Sequence, residues 1–222
     1  RTLFLYGDEL LKRFSSVNFP KKVITRTPLF FNSPSTTLAR PFTNIPNIKI
    51  LRVSSIIPSK DILLFIKSVY LIKKSFPDLN IRATIVGPHK DKKYLKVILR
   101  EMQKLNLNEC VSLTGQVPFG PELFQIYKSH DVQFMTSSSE GIPRVLLEGD
   151  NYGLPLITTK VGGISSFYVH DQNCLISEST PQSFCYQFKR MLNSRHLINN
   201  LISNQLRDCK IYNFSSIVCQ YL

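Results

Sequence analysis

The chain is 222 residues long and 43% hydrophobic, enough to bury one α/β core with some chain left over. It holds no apolar run near the ~20 residues that span a bilayer and no signal-peptide pattern, which argues against a bundle of membrane helices. A net charge of +13 and a pI near 9.6 create a field that attracts nucleotides, anionic headgroups or nucleic acid, without choosing among them.

In chain order, residues 7–14 (GDELLKRF) read as a short helix with acids first and bases last, and residues 22–27 (KVITRT) as a strand. Pro28, Pro34, Pro41 and Pro46, set among serines and threonines, mark a linker and a domain boundary. From Ile48 strand and helix alternate. The expected strands are 48–53, 81–86, 110–113, 132–135 and 154–158. The expected helices are one opened by Ser59 and carrying Leu63, Leu64, Ile66, Val69 and Ile72, then 92–105, 121–128 and 143–152. Such alternation predicts an α/β fold, a parallel sheet with helices on both faces. Further on, residues 173–177 read as an edge strand and 181–193 as a helix with Phe184, Phe188 and Met191 inward. Residues 212–222 read as a short helix capped by Ser215.

Cys110, Cys174, Cys185, Cys209 and Cys219 are scattered without metal or redox spacing, which suits a reduced, cytosolic protein. His89, His130, His170 and His196 are equally isolated, and no Asp-x-Asp pair is present, so metal-free chemistry without a cofactor is expected. The cations of residues 90–104 lack interleaved aromatics. They read as a solvated helix face and make nucleic acid an unlikely partner.

Parallel sheets bind ligands outside the carboxyl ends of their strands. Polar or glycine turns follow the expected strands there: Ser54 and Ser55, Gly87, then Thr114, Gly115 and Gln116, then 137–141, and finally Gly162 and Gly163. The most informative stretch is 137–163, SSSEGIPRVLLEGDNYGLPLITTKVGG. Pro143 suits the first position of a helix, and Gly141 before it admits a ligand close to the backbone. The amides of Arg144, Val145 and Leu146, with the positive end of the helix dipole, would face an anion such as phosphate. Glu140 and Glu148 bracket that end. From Pro143 to Glu148 the helix rises roughly 7–8 Å, so the two acids fit either side of a diphosphate, one toward a sugar and one toward a ribose. The plainer reading of the pair is a helix-start acid and a solvated helix acid.

These residues resemble the GT-B-fold, nucleotide-sugar-dependent retaining glycosyltransferases of glycosyltransferase family 4. EGIPRVLLE (140–148) resembles that family's paired-glutamate motif and NYGLPLITTKVGGI (151–164) the segment after it. RVSSIIPSKD (52–61), VSLTGQVP (111–118) and IYKSHDVQFMTSSSEG (126–141) fall in the family's order and spacing. The resemblance implies the C-terminal, Rossmann-like half of a GT-B fold at residues 38–208. It implies the end of an N-terminal acceptor domain and the linker at 1–37, and at 209–222 a helix that crosses back.

Carried over, Glu140 contacts the transferred sugar, Lys60 neutralises phosphate and Glu148 holds the ribose. The backbone at Gly141, Ile142, Pro143, Arg144 and Val145 holds the diphosphate, Gln116 and Val117 meet the base, and Gly87 lines the cleft. The family's Gly-Arg at the end of the first strand is here Ser54 and Ser55. Losing one such cation costs on the order of 3 kcal/mol, or ~10²-fold in rate.

The resemblance implies metal-independent sugar transfer from a nucleotide-sugar to a saccharide or lipid-linked acceptor with retention, in polysaccharide or glycolipid synthesis. A non-catalytic nucleotide-sugar-binding module is the alternative that Ser55 favours. Net charge alone adds a third, a peripheral module on an anionic membrane surface.

Overall fold

The computed structural model describes residues 2–4, 22–24, 41–141 and 143–211. The helices expected at 7–14 and 212–222, most of the proline-rich linker, and Ile142 lie outside them. Strands β1 (Thr2–Phe4) and β2 (Lys22–Ile24) pair in parallel as a two-stranded sheet, placing the expected 22–27 strand at its first three residues.

The main sheet has six parallel strands: β3 (Asn47–Val53), β4 (Asn80–Val86), β5 (Val111–Gly115), β6 (Val132–Met135), β7 (Leu156–Thr159) and β8 (Leu175–Ser177). Their spatial order is β5-β4-β3-β6-β7-β8. Helices α1 (Ile62–Ser75), α2 (Lys92–Lys104), α3 (Pro121–Lys128) and α4 (Arg144–Asn151) follow β3, β4, β5 and β6 in turn, and α5 (Pro181–Asn193) and α6 (Arg195–Ile211) follow β8. Strand β3 shows why the sheet needs cover on both sides. Its Ile48 and Ile50 enter the core under α1, α2 and α5, while Leu51 and Val53 enter the opposite core with Leu123, Tyr127 and Leu154. The strand order reverses between β3 and β6. That switch point opens a crevice at the carboxyl ends, flanked by the loops after these two strands.

Several boundaries differ from the sequence reading, each for a local reason. Helix α1 is capped by Asp61 rather than opened by Ser59: residues Pro58–Lys60 form a 3-10 turn, and the Asp61 carboxylate accepts the Leu64 N–H at 3.1 Å. Pro143 is the cap of α4, not its first residue. Strand β7 starts at Leu156, just after Pro155, whose carbonyl accepts the Gln133 N–H at 2.8 Å. Helix α6 was not foreseen. Its signal is present all the same: Ile198, Leu201 and Gln205 are buried at helical spacing, and the Ser194 hydroxyl caps the Leu197 N–H at 3.1 Å.

His130 is a core residue. Its Nδ1 lies 2.6 Å from the Ile126 carbonyl and its Nε2 2.9 Å from the Thr84 hydroxyl, so the neutral ring donates to one and accepts from the other. Burial pushes its pKa down to about 4 from 6.5. The unfolded chain therefore binds the extra proton first, and stability is lost as pH falls from 6.5 through 4. Urea unfolding at pH 7 and pH 4.5 should show His130→Gln losing about 2–3 kcal/mol less than wild type on acidification. Equal losses would refute the assignment.

Candidate functional site

The crevice floor is laced together by backbone and hydroxyl contacts. The Ser138 N–H donates to the Ser59 carbonyl at 3.0 Å, and the Thr136 hydroxyl to the Asp61 carbonyl at 2.9 Å. These bonds join the loop after β6 to the loop after β3. They set the Lys60 ammonium 2.7 Å from Oε2 of Glu140, across eighty residues of sequence. The other carboxylate oxygen, Oε1, accepts the Ser137 hydroxyl at 2.6 Å. Lys60 keeps 23% of its side chain exposed and Glu140 only 9%. The pair thus presents a cation at the mouth and a carboxylate just below it.

Arg52 lies underneath, buried at the next-to-last position of β3. Its guanidinium donates to the Ser137 hydroxyl at 2.8 Å and the Lys60 carbonyl at 3.0 Å. Burial pulls its pKa down to about 10, with the Glu140 charge acting in the opposite sense. The result is a relay in which Arg52 donates to Ser137, Ser137 donates to Glu140, and Glu140 pairs with Lys60. The sequence reading missed Arg52. Its signal was an arginine inside an otherwise apolar strand, ILRV. It does not replace the arginine expected at Ser55, because its guanidinium is buried beneath the crevice, where its two terminal nitrogens bond to the protein and Nε has no partner.

The neighbouring strand ends are packed as closely. Gly87 holds φ +148, and a Cβ there would lie 2.0 Å from the Ser54 carbonyl oxygen. The Gly87 N–H donates to the Gly115 carbonyl at 2.8 Å, so the loops after β3, β4 and β5 form one rim. Ser55 is half-buried on that rim, Gln116 is exposed, and Val117 packs against the cluster of Leu123, Tyr127 and Tyr152.

At the start of α4, Gly141 and Arg144 are exposed and Pro143 and Val145 half-buried. The Leu146 N–H turns back to the Pro143 carbonyl at 3.0 Å. Of the three amides expected to face an anion, this one is therefore used within the helix, leaving Arg144 and Val145. Glu148 is not a solvated helix acid. It is buried, and its Oε2 accepts the Tyr127 hydroxyl at 2.8 Å. Burial raises its pKa, opposed by the Tyr127 hydrogen bond and the Arg144 charge. Two residues on, Asp150 is buried against the Tyr168 hydroxyl, anchoring α4 to the segment after β7. A third loop closes on Glu140: Gly162 sits at φ +52 against its backbone, and the Gly163 N–H donates to the Gly141 carbonyl at 3.1 Å.

The structure thus brings together Lys60, Glu140 and Ser137 at one point and Gly87 with Ser54 at another, while Glu148 stands apart on Tyr127. Among the described residues no group of three or more His, Cys, Asp or Glu is placed to hold a metal ion, and no helix is long and apolar enough to cross a membrane.

A six-stranded parallel sheet with this crevice is the Rossmann-like C-terminal half of a GT-B fold. The chain belongs to the family Glycosyl transferases group 1, whose profile matches residues 39–208. HepE from Anabaena, solved with UDP and glucose, superposes with a TM-score of 0.79 at 17% identity, over 98% of this chain and 61% of that one. The C-terminal domain of the group 1 protein LpcC from Francisella tularensis gives 0.66 at 20% identity, over 75% of this chain and 86% of that one. A D-inositol 3-phosphate glycosyltransferase from Pseudarthrobacter chlorophenolicus is 29% identical over 111 residues, 50% of this chain and 26% of that protein. The chain spans less than half of the length of the curated relatives it matches first.

Proposed function

We propose that this chain is the donor-binding half of a glycosyltransferase that moves a sugar from a nucleoside diphosphate to a hydroxyl acceptor with retained configuration. The observation that carries the reading is the Lys60–Glu140 pair, poised at 2.7 Å over the switch-point crevice and held from below by Ser137. Lys60 takes up charge on the leaving diphosphate, a role that needs no metal ion. Glu140 meets the transferred sugar. Glu148, with Oε2 held by Tyr127, offers Oε1 to the ribose hydroxyls. The amides of Arg144 and Val145, beside Gly141, Ile142 and Pro143, hold the diphosphate. Ser55 and Gly87 line its other side, and Gln116 and Val117 flank the base. UDP, present in the HepE crystals, is the first nucleotide to try. The acceptor is a saccharide or lipid-linked hydroxyl, and its site falls to a domain across the crevice.

Donor binding is tested by calorimetry and thermal shift of this chain with UDP, GDP, ADP and their sugars. A nucleotide at ~100 times its dissociation constant adds about 2.7 kcal/mol of stability. Glu148→Ala should weaken that nucleotide at least tenfold, by loss of a charged hydrogen bond worth about 1.5–3 kcal/mol. In the full-length protein Lys60→Ala should lower turnover about 10²-fold, more than it weakens donor binding, because charge on the leaving group develops in the transition state. No shift with any nucleotide, or equal affinity in Glu148→Ala, would sink the assignment.

Ser55 favours a second reading, a module that binds the nucleotide-sugar without turning it over. Donor binding without transfer in the full-length protein would select it.

A further inference from the structure

The charge of this domain is distributed very unevenly. Helix α1 packs against both α2 and α5, and the three bury their apolar sides in one core, so they form a single layer over one face of the sheet. That layer carries three lysines on α1, four lysines and an arginine on α2, and a lysine and an arginine on α5. Glu101 is the one acid within these helices. Helices α3 and α4, on the opposite face, carry Lys128 and Arg144 against Glu122, Glu148 and Asp150. Most of the domain's excess positive charge is therefore on one side.

Taken helix by helix these cations read as solvated faces, but the layer assembles them. On α2, Lys93, Lys96, Arg100 and Lys104 stand three and four residues apart as one exposed stripe. Like charges at this spacing repel, at a small cost per pair that an anionic partner would remove. Apolar side chains lie among them: Val97 and Leu99 are 44% and 45% exposed on α2, with Tyr70 on α1 and Tyr186 on α5 also exposed. Lysine arms that extend past exposed aliphatic and tyrosine side chains are the composition of a surface that rests at a lipid headgroup boundary.

We propose that the α1–α2–α5 layer docks on an anionic membrane surface. The cations of α2 meet the headgroups, and Val97, beside that stripe, enters the acyl boundary. Charge complementarity selects an anionic surface, and the interspersed apolar side chains select lipid over nucleic acid. This holds whether or not the crevice binds a nucleotide-sugar.

The test is co-sedimentation of the 222-residue chain with vesicles of phosphatidylcholine alone and with 30% phosphatidylserine at ~0.1 M salt. Binding is expected only with the anionic vesicles and should fall as salt is raised. Each Lys or Arg near such a surface contributes about fivefold to partitioning, so Lys93→Ala/Lys96→Ala/Arg100→Ala should weaken it roughly a hundredfold. Lys49→Ala/Lys128→Ala/Arg207→Ala removes the same charge outside the layer and should weaken it much less. Val97→Ser should weaken vesicle binding while leaving retention on heparin unchanged. The proposal is overturned by absence of vesicle binding, by equal loss in the two triple variants, or by binding to heparin or duplex DNA in its place. Unchanged thermal unfolding of the variants shows that the loss is not misfolding.

Discussion

Gly162→Ala should melt roughly 10 °C below wild type and lose the donor-induced thermal shift. The reason is steric on two counts. At φ +52 an L-residue carries a penalty of about 1–2 kcal/mol. A Cβ built there lies 1.6 Å from the Glu140 carbonyl oxygen, a backbone atom that cannot yield as a flexible side chain would. Accommodating it pushes the loop of residues 137–141 outward, and with it the carboxylate that pairs with Lys60. The expected cost is about 3–5 kcal/mol. Gly141→Ala is the control for stability, because a Cβ there meets nothing within 4 Å, and it should stay within about 1 kcal/mol of wild type. A melting temperature for Gly162→Ala within 2 °C of wild type, as an order-of-magnitude limit on a whole-domain scale, would mean that the Glu140 loop adapts freely.

The second large effect is expected at Arg52, and it separates stability from site geometry. A buried guanidinium titrating near 10 instead of 12.5 carries a net cost of about 3 kcal/mol, desolvation outweighing the attraction of Glu140 and Asp61. Against this stand its hydrogen bonds to the Ser137 hydroxyl and the Lys60 carbonyl, each about 1.5–3 kcal/mol for a charged donor. Arg52→Met removes the cost and the bonds together, so stability should change by less than about 2 kcal/mol. The relay does not survive the exchange. Ser137 loses the donor that fixes its hydroxyl toward Glu140, and the Lys60 loop loses its tie to β3. Nucleotide-sugar affinity should fall at least tenfold, about 1.4 kcal/mol. Arg52→Lys restores the charge but not the fork that reaches several acceptors, and should not restore affinity. Wild-type affinity in Arg52→Met would show that Lys60 and Glu140 hold their places without it.

The strand–helix alternation, the parallel sheet and the rim of turns are legible in the amino-acid sequence. Apolar periodicity and turn residues are local properties, legible wherever burial is two-sided, as at Ile48, Ile50, Leu51 and Val53 of β3. Glu140 and Glu148 stand out through a motif whose residues lie close together in the chain, and Lys60 through the family resemblance of residues 52–61. Helix α6 escaped because its apolar positions are few and diluted by polar residues, among them the buried Gln205.

What those residues touch is set by the fold. The pairing of Lys60 with Glu140 spans two loops that meet because β3 and β6 are neighbours in the sheet. The burial of Glu148 depends on Tyr127, from a helix on the far side of β6 in sequence. The need for glycine at 162 comes from a backbone 22 residues earlier. Arg52 reads from sequence as an anomaly in a strand, and from the fold as the floor of the crevice. In each case the deciding contact is long-range, set by strand order and register, which local patterning does not encode.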